Sequence, residues 1–346
     1  MEPDTPETPA LSPLATGQVI DGFVLGERLH QGGMANLWKV TRSADAPPLG
    51  TDLPLIMKVP RIKGGEDPAS IVGFEVERMI MPALKGPHVP QFIARGDYTG
   101  QPYIVMEHID GTSLRPRLDA APLPIDEVIE VGSRVATALH ELHKQKLVHL
   151  DVKPSNIMFR PDGTAVLVDF GLSRHDALPD LLDEEFELPM GTGPYISPEQ
   201  VQFVRKDSRS DLFALGVMLY HFTTGERPYG SPDTVRGLRK RLYIDPVPPR
   251  DLRPDCAPWL QEVILKCLEV DAAKRWQTGA QLALALQNPT QVPLTLRSDK
   301  HHRSGRLDTF KRWFKAMGAE PDKDIDLGVA SRVMRSPIIM AAVDVD

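Results

Sequence analysis

The chain of 346 residues carries 40 lysines and arginines against 47 aspartates and glutamates, and its formal net charge is −7. This acidic balance argues against a general nucleic-acid-binding protein. Because only two cysteines are present, Cys256 and Cys267, a disulfide framework and a cysteine-rich metal site are both excluded.

No apolar run approaches the roughly 20 residues that a membrane span needs. The N-terminus lacks a charged and then apolar signal segment. We therefore expect a cytoplasmic protein in a reducing compartment, with one large domain and an extension.

Residues 1–18 are rich in proline, threonine and acidic side chains, and they are predicted to be a disordered tail. The folded region is predicted to start at Val19. Phe23 to Leu29 and Leu37 to Thr41 are predicted strands, joined by a turn at Gln31-Gly32-Gly33. The glycines would let the backbone approach phosphate groups, although the tip of any hairpin could contain such a pair.

Lys58 lies on a predicted strand, in Ile56-Met57-Lys58-Val59, where an ammonium group needs an anionic partner. Glu75 and Glu77 are both candidate partners, and the family resemblance described below favours Glu77. Two further strands are predicted over Gln91 to Gly96 and Tyr103 to Met106. A turn over residues 107–111 follows them.

The stretch from His149 to Asn156 lies between a helical pattern and a short predicted strand that ends at Asp169-Phe170-Gly171. Asp151 could accept a proton and Lys153 supplies a fixed positive charge, whereas Asn156 and Asp169 offer oxygen ligands to magnesium. Positioning a hydroxyl and neutralising charge on a moving phosphoryl group need little more than these residues.

The last sixty residues contain a predicted linker over residues 287–302 and an extension over residues 303–346. Leu307, Phe310, Phe314 and Met317 recur at helical spacing among basic side chains. This amphipathic helix could lie on an anionic membrane or dock on protein, and docking is favoured because one short helix binds membranes weakly. A final strand is predicted within Ser336 to Asp344.

Together, His149 to Asn156, Asp169-Phe170-Gly171 and Gly191 to Glu199 resemble bacterial Hanks-type (eukaryotic-like) serine/threonine protein kinases. The resemblance implies an α+β, two-lobed fold plus the C-terminal extension. A small, mostly antiparallel N-lobe with one helix would span residues 19–107. The hinge would span residues 107–111, and a larger, mostly helical C-lobe residues 112–286. The Ser336 segment resembles the opening strand of a universal stress protein domain.

The resemblance also implies the site residues. Lys58 would contact phosphates and pair with Glu77, Asp151 would orient the acceptor hydroxyl, and Thr192 would bond the catalytic residues. The implied catalytic set is Lys58, Glu77, Asp151, Lys153, Asn156, Asp169 and Thr192. The implied nucleotide contacts are Leu29, Gly32, Gly33, Leu37, Ile56, Lys58, Met106, Glu107, His108, Ile109, Met158 and Asp169.

The implied cofactors are ATP and Mg²⁺, with Mn²⁺ as a substitute, and the implied metal ligands are Asn156 and Asp169. The implied partners are proteins that carry serine or threonine acceptors, with autophosphorylation, a further C-terminal domain or a regulatory partner as additional possibilities. Nucleic acid is not expected as a partner, and a membrane is disfavoured.

One departure concerns regulation. The arginine that the family usually places before the catalytic aspartate is Leu150 here, and no serine, threonine or tyrosine lies between Arg174 and Met190. We therefore expect activity that does not depend on phosphorylation of this segment. Because position 150 carries no arginine, its acidic residues, Asp180 among them, are not expected to mimic a phosphate. They are interpreted as a solvated loop that disfavours acidic substrates by repulsion. The alternatives to an active serine/threonine protein kinase are a pseudokinase that acts as a nucleotide-binding scaffold and a kinase for small molecules.

Overall fold

The computed structural model describes residues 14–31, 35–61, 68–185, 189–301 and 312–314. The first lobe is an antiparallel sheet with strand order β1-β2-β3-β4-β6-β5, and helix α1 follows β4 in the chain. The strands are β1 (Val19–Ile20), β2 (Phe23–Gln31), β3 (Ala35–Arg42), β4 (Leu55–Pro60), β5 (Phe92–Arg95) and β6 (Ile104–Glu107), and the helix is α1 (Pro68–Ile80).

The period of two along β4 decides which of its side chains face the site. Met57 packs in a core cluster on one face of the sheet, whereas Ile56 packs in the large cluster on the other face. Because alternate residues of a strand share a face, Lys58 lies on the same face as Ile56. The strand is buried along its whole length, which is unusual for a segment that contains a lysine.

The second lobe is mostly helical. Its helices are α2 (Arg115–Asp119), α3 (Ile125–Lys144), α4 (Leu181–Glu185), α5 (Pro198–Val201), α6 (Arg209–Thr224), α7 (Val235–Arg239), α8 (Pro249–Leu252), α9 (Pro258–Cys267) and α10 (Gly279–Gln287). Its short strands are β7 (Thr112–Ser113), β8 (Leu147–Val148), β9 (Ile157–Phe159), β10 (Ala165–Leu167) and β11 (Arg174–His175), arranged as β10-β9-β7 and β11-β8.

Helix α6 is the centre of this lobe. It packs against α3 and α9, and every residue from Ser210 to Tyr220 is buried. A helix that is apolar on all sides belongs in the interior. Gly216 permits the close packing, because a Cβ there would lie 2.4 Å from Cys267 Cβ.

The predicted fold class is confirmed, since an antiparallel N-lobe sheet with a helix precedes a helical C-lobe. Within the predicted linker, the residues up to His301 run along the C-lobe. The Gln261 side chain donates to the carbonyl of Arg297 at 2.8 Å, and Arg297 pairs with Glu262 and Glu269 at 3.1 and 2.7 Å. Among the described residues, no helix is long and apolar enough to cross a membrane.

In the extension, residues 312–314 are helical, and Arg312 pairs with Asp245 at 2.6 Å. The rest of the predicted amphipathic helix lies outside the described residues. The predicted final strand, with its resemblance to a universal stress protein, also lies outside them, as do Gly32 and Gly33.

Candidate active site

The loop from His149 to Asn156 is fixed to the central helix by one carboxylate. Asp211, in the first turn of α6, accepts hydrogen bonds from the backbone amides of His149 and Leu150 at 2.9 and 2.8 Å. Its Oδ2 also lies 2.9 Å from His143 Nε2. Leu150 has a φ of 64°, an unusual conformation for a non-glycine residue, which these amide bonds stabilise. The loop is therefore held rigidly.

Asp151 lies at the centre of a bonded group of side chains. Its Oδ1 accepts from the hydroxyl of Thr192 at 2.6 Å and from the Thr192 amide at 3.0 Å. Lys153 Nζ lies 2.7 Å from Asp151 Oδ2 and donates to Thr192 Oγ1 at 3.0 Å. The amide nitrogen of Asn156 donates to Asp151 Oδ2 at 3.1 Å. The carboxylate therefore has one orientation, which general base catalysis requires.

Lys58 joins the two lobes electrostatically. Its ammonium group bonds the buried Glu77 carboxylate on α1 and lies 3.2 Å from Asp169 Oδ1. Burial opposes the charge on Lys58, but Asp169 and Glu77 outweigh burial and raise the pKa of Lys58. Burial likewise disfavours the Asp169 carboxylate, yet Lys58 and Lys153 lower its pKa. Both groups are therefore charged at neutral pH.

Close backbone packing holds α1 against Asp169-Phe170-Gly171. A Cβ on Gly73 of α1 would lie 3.2 Å from the carbonyl oxygen of Gly171, so a larger residue would push the helix away. Asp169 itself has a φ of 67°. Left-handed backbone at a non-glycine residue often marks a functional site.

Asn156 and Asp169 fit the chemistry of a magnesium site. Asn156 uses its amide nitrogen to bond both the carbonyl and the carboxylate of Asp151, at 3.0 and 3.1 Å. This orients the amide and leaves Oδ1, which accepts from Ser155 Oγ at 3.3 Å, as the oxygen that could ligate a metal. Amide and carboxylate oxygens are the ligands that Mg²⁺ prefers.

The apolar side chains among the implied nucleotide contacts come together between the lobes. Five of them belong to one buried cluster, against which Leu29 packs: Leu37, Ile56, Met106, Ile109 and Met158. Two hinge residues also have structural partners. The Glu107 carboxylate is paired with Arg160, and the His108 amide donates to the Pro54 carbonyl at 2.7 Å. Any nucleotide contact from these two would therefore involve other atoms.

The segment from Gly191 to Glu199 is anchored to the C-lobe by a buried ion pair. Arg275 donates two hydrogen bonds of 2.7 Å to the Glu199 carboxylate, which also accepts from Ser210 Oγ at 2.7 Å. The Arg275 side chain is fully buried. This two-pronged geometry fixes both the distance and the orientation of the segment.

Sequence reasoning missed Arg241, which supports the same segment. Its guanidinium is fully buried and donates to the carbonyls of Gly193, at 2.8 Å, and Ile196. Burial lowers the pKa of Arg241 to about 10. Arg241 ends a basic run, Arg236 to Arg241, that is typical of an exposed surface, so no local pattern indicated its burial.

Known proteins resemble the chain in sequence and in fold. Residues 58–287 match the protein kinase domain family. The serine/threonine-protein kinase PknB of Mycolicibacterium smegmatis is 33% identical over 273 residues, which cover 76% of this chain and 42% of that protein. The probable serine/threonine-protein kinase PknB of Lactococcus lactis is 29% identical over 274 residues, which cover 79% of this chain and 42% of that protein.

The crystal structure of the Mycobacterium tuberculosis PknI kinase domain matches with a TM-score of 0.60 and 25% identity, covering 80% of this chain and 99% of that chain. The chain spans about 42% of the length of the PknB relatives.

Proposed function

Because the chain belongs to the protein kinase family, we propose that it transfers the γ-phosphoryl group of ATP to serine and threonine hydroxyls of proteins. Two groups of side-chain contacts at the junction of the lobes support this proposal. Lys58 bonds both Glu77 and Asp169, and Asp151 bonds both Thr192 and Lys153. A scaffold that only held nucleotide would not need the second group.

The residues divide the work of phosphoryl transfer between them. Asp151 orients the acceptor hydroxyl and accepts its proton as the phosphoryl group moves. Lys153 neutralises charge on the transferred group, and Lys58 places the α- and β-phosphates. Glu77 holds Lys58 in position. Because the chemistry is mostly positioning, the rigidity that Asp211 gives the loop contributes directly.

Asn156 and Asp169 would hold Mg²⁺, or Mn²⁺ in its place. Held by these two residues, the metal would supply positive charge that offsets the negative charge of the phosphates. The adenine would bind against Ile56, Met106 and Met158, which belong to one buried apolar cluster.

Two features favour protein over small-molecule acceptors. Lys153 and Thr192 meet at 3.0 Å beside the catalytic carboxylate, a pairing that suits a serine or threonine hydroxyl. The segment from Gly191 to Glu199 is fixed by Arg275 and Arg241, and it offers a rigid surface for an extended peptide. Kinases for small molecules have no need of such a surface.

We also propose that turnover needs no phosphorylation between Arg174 and Met190, where the sequence contains no hydroxyl side chain. Leu150 is buried where the arginine that would bind such a phosphate usually lies. Control would come from the C-terminal extension or from a partner, and autophosphorylation would fall elsewhere. We also propose that the protein is cytoplasmic.

Incubation with labelled ATP, Mg²⁺ and a generic basic protein tests the proposal, followed by phosphoamino acid analysis. Label in phosphoserine and phosphothreonine is expected. If ATP binds but no label is transferred, the chain is a pseudokinase. Transfer to a small metabolite alone would favour the third alternative.

A further inference from the structure

One carboxylate ties two arginines together behind the catalytic loop. Asp180 Oδ2 lies 2.9 Å from Arg205 Nε and 3.4 Å from Arg174 Nε. The Asp180 side chain is 14% exposed and that of Arg205 is 9% exposed. The expectation of a solvated acidic loop is therefore wrong for Asp180. Pairs shielded in this way are weakened less by salt than surface pairs are.

The two arginines belong to different parts of the site. Arg205 follows α5 and also donates to the carbonyl of Leu172, the residue after Gly171, at 3.1 Å. Arg174 lies on β11 and pairs with Val148 of β8, immediately before His149. Through these arginines, Asp180 connects the residue after Gly171, the strand before His149 and the residues that follow the segment from Gly191 to Glu199.

Asp180 also directly precedes α4, which packs against α1, the helix that carries Glu77. Leu182 of α4 is fully buried in the main core. The position of Asp180 therefore bears on the placement of Glu77 as well as on the catalytic loop.

In kinases that are switched by phosphorylation, a phosphate on this segment orders it by pairing with arginines. Here residues 175–189 contain no serine, threonine or tyrosine, and Arg174 and Arg205 pair with the Asp180 carboxylate instead. We propose that Asp180 is a positioning residue, a permanent anionic tether that holds residues 172–180 to Arg205 in place of a phosphate. This inference rests on the proposed kinase function.

The test compares Asp180→Asn with Asp176→Asn in the full chain after phosphatase treatment. Asp176 is a matched control because it also pairs with Arg174, but its side chain is 55% exposed. We expect Asp180→Asn to lower kcat roughly tenfold, because the tether bears on the catalytic loop and on the placement of Glu77. Asp176→Asn should match the wild type, and Asp180→Glu should recover most of the rate.

Hydrogen exchange provides a readout that does not depend on turnover. Amides of residues 172–182 should exchange faster in Asp180→Asn than in Asp176→Asn. Should Asp180→Asn fail to fold, Arg174→Gln removes one of the two arginine contacts and should lower kcat in the same direction. The double variant Asp180→Asn/Arg205→Gln should lose less than the sum of the two single losses, because both variants remove the shared Asp180–Arg205 pair.

Equal kcat and equal hydrogen exchange in Asp180→Asn and Asp176→Asn would contradict the proposed role of Asp180. If the phosphatase-treated wild type is active in that experiment, the proposed kinase function still stands. An inactive wild type would contradict the proposed function instead, and the exchange comparison would then decide the tether by itself.

Discussion

At the scale of single residues, Lys58 shows how burial and pairing compete. Burial alone would lower its pKa, but the carboxylates of Asp169 and Glu77 reverse the direction. Removing the ammonium group would leave Glu77, which is 1% exposed, as a buried and unpaired carboxylate.

We therefore expect Lys58→Met to weaken ATP binding and phosphoryl transfer together and to destabilise the fold by about 3 kcal/mol. Isothermal titration with ATP and urea unfolding measure the two effects. Lys39→Met is the matched control, because Lys39 pairs with Glu27 on the exposed side of the N-lobe. Full activity of Lys58→Met would show that the lysine has been assigned the wrong role.

The two cysteines should be unreactive in the folded protein. Burial raises the pKa of Cys256 to about 11 and that of Cys267 to about 12. Because only the thiolate reacts, about one thiol in a thousand or fewer is reactive at pH 8. We expect negligible alkylation by iodoacetamide at pH 8 in native protein and two labelled thiols in urea. Rapid labelling of either cysteine without denaturant would contradict the burial.

At the scale of elements, some predictions followed from local pattern. The strand around Lys58 and the helix before His149 were predicted from periodicity. The resemblance to bacterial serine/threonine kinases is confirmed by the family match.

Other features depend on contacts between residues far apart in the chain, which no local pattern reveals. The burial of Arg241 depends on carbonyls 45 or more residues away. Asp180 meets Arg205 across 25 residues. In each case a charged residue in a polar run predicts solvent exposure, and tertiary packing reverses that expectation.

Removing the Glu199–Arg275 pair tests how the segment from Gly191 to Glu199 is anchored to the C-lobe. We expect Arg275→Met to reduce the free energy of unfolding by about 3 kcal/mol, because it leaves a poorly solvated carboxylate without its cation. Lys39→Met again serves as control and should cost at most about 1 kcal/mol, since its pair is exposed to water. Urea unfolding gives both values, and equal losses in the two variants would contradict the anchoring role of the pair.

At the scale of the whole molecule, the C-terminal extension meets the C-lobe through Asp245. Its carboxylate pairs with Lys300 and with Arg312, at 2.7 and 2.6 Å. Arg312 therefore lies against the C-lobe, whereas Phe314, on the predicted apolar face of the helix, is 67% exposed. Docking of the basic helix on protein stays a prediction.

We expect the full chain to sediment weakly with anionic vesicles. Asp245→Asn should increase proteolysis after Arg312, because docking protects that bond. Strong sedimentation that disappears when Phe310 and Phe314 become serine would favour the membrane instead.

We propose that the side chains bonded to Lys58 and Asp151 at the lobe junction form a working phosphoryl-transfer site, and Asp151→Asn tests this most directly. Measured side by side with the wild type, this variant should lose phosphoryl transfer to a basic protein by about a thousandfold or more. Its dissociation constant for ATP should stay within about threefold, because Asp151 contacts the acceptor and not the phosphates. Undiminished transfer by Asp151→Asn, or loss of ATP binding with the fold intact, would contradict the account.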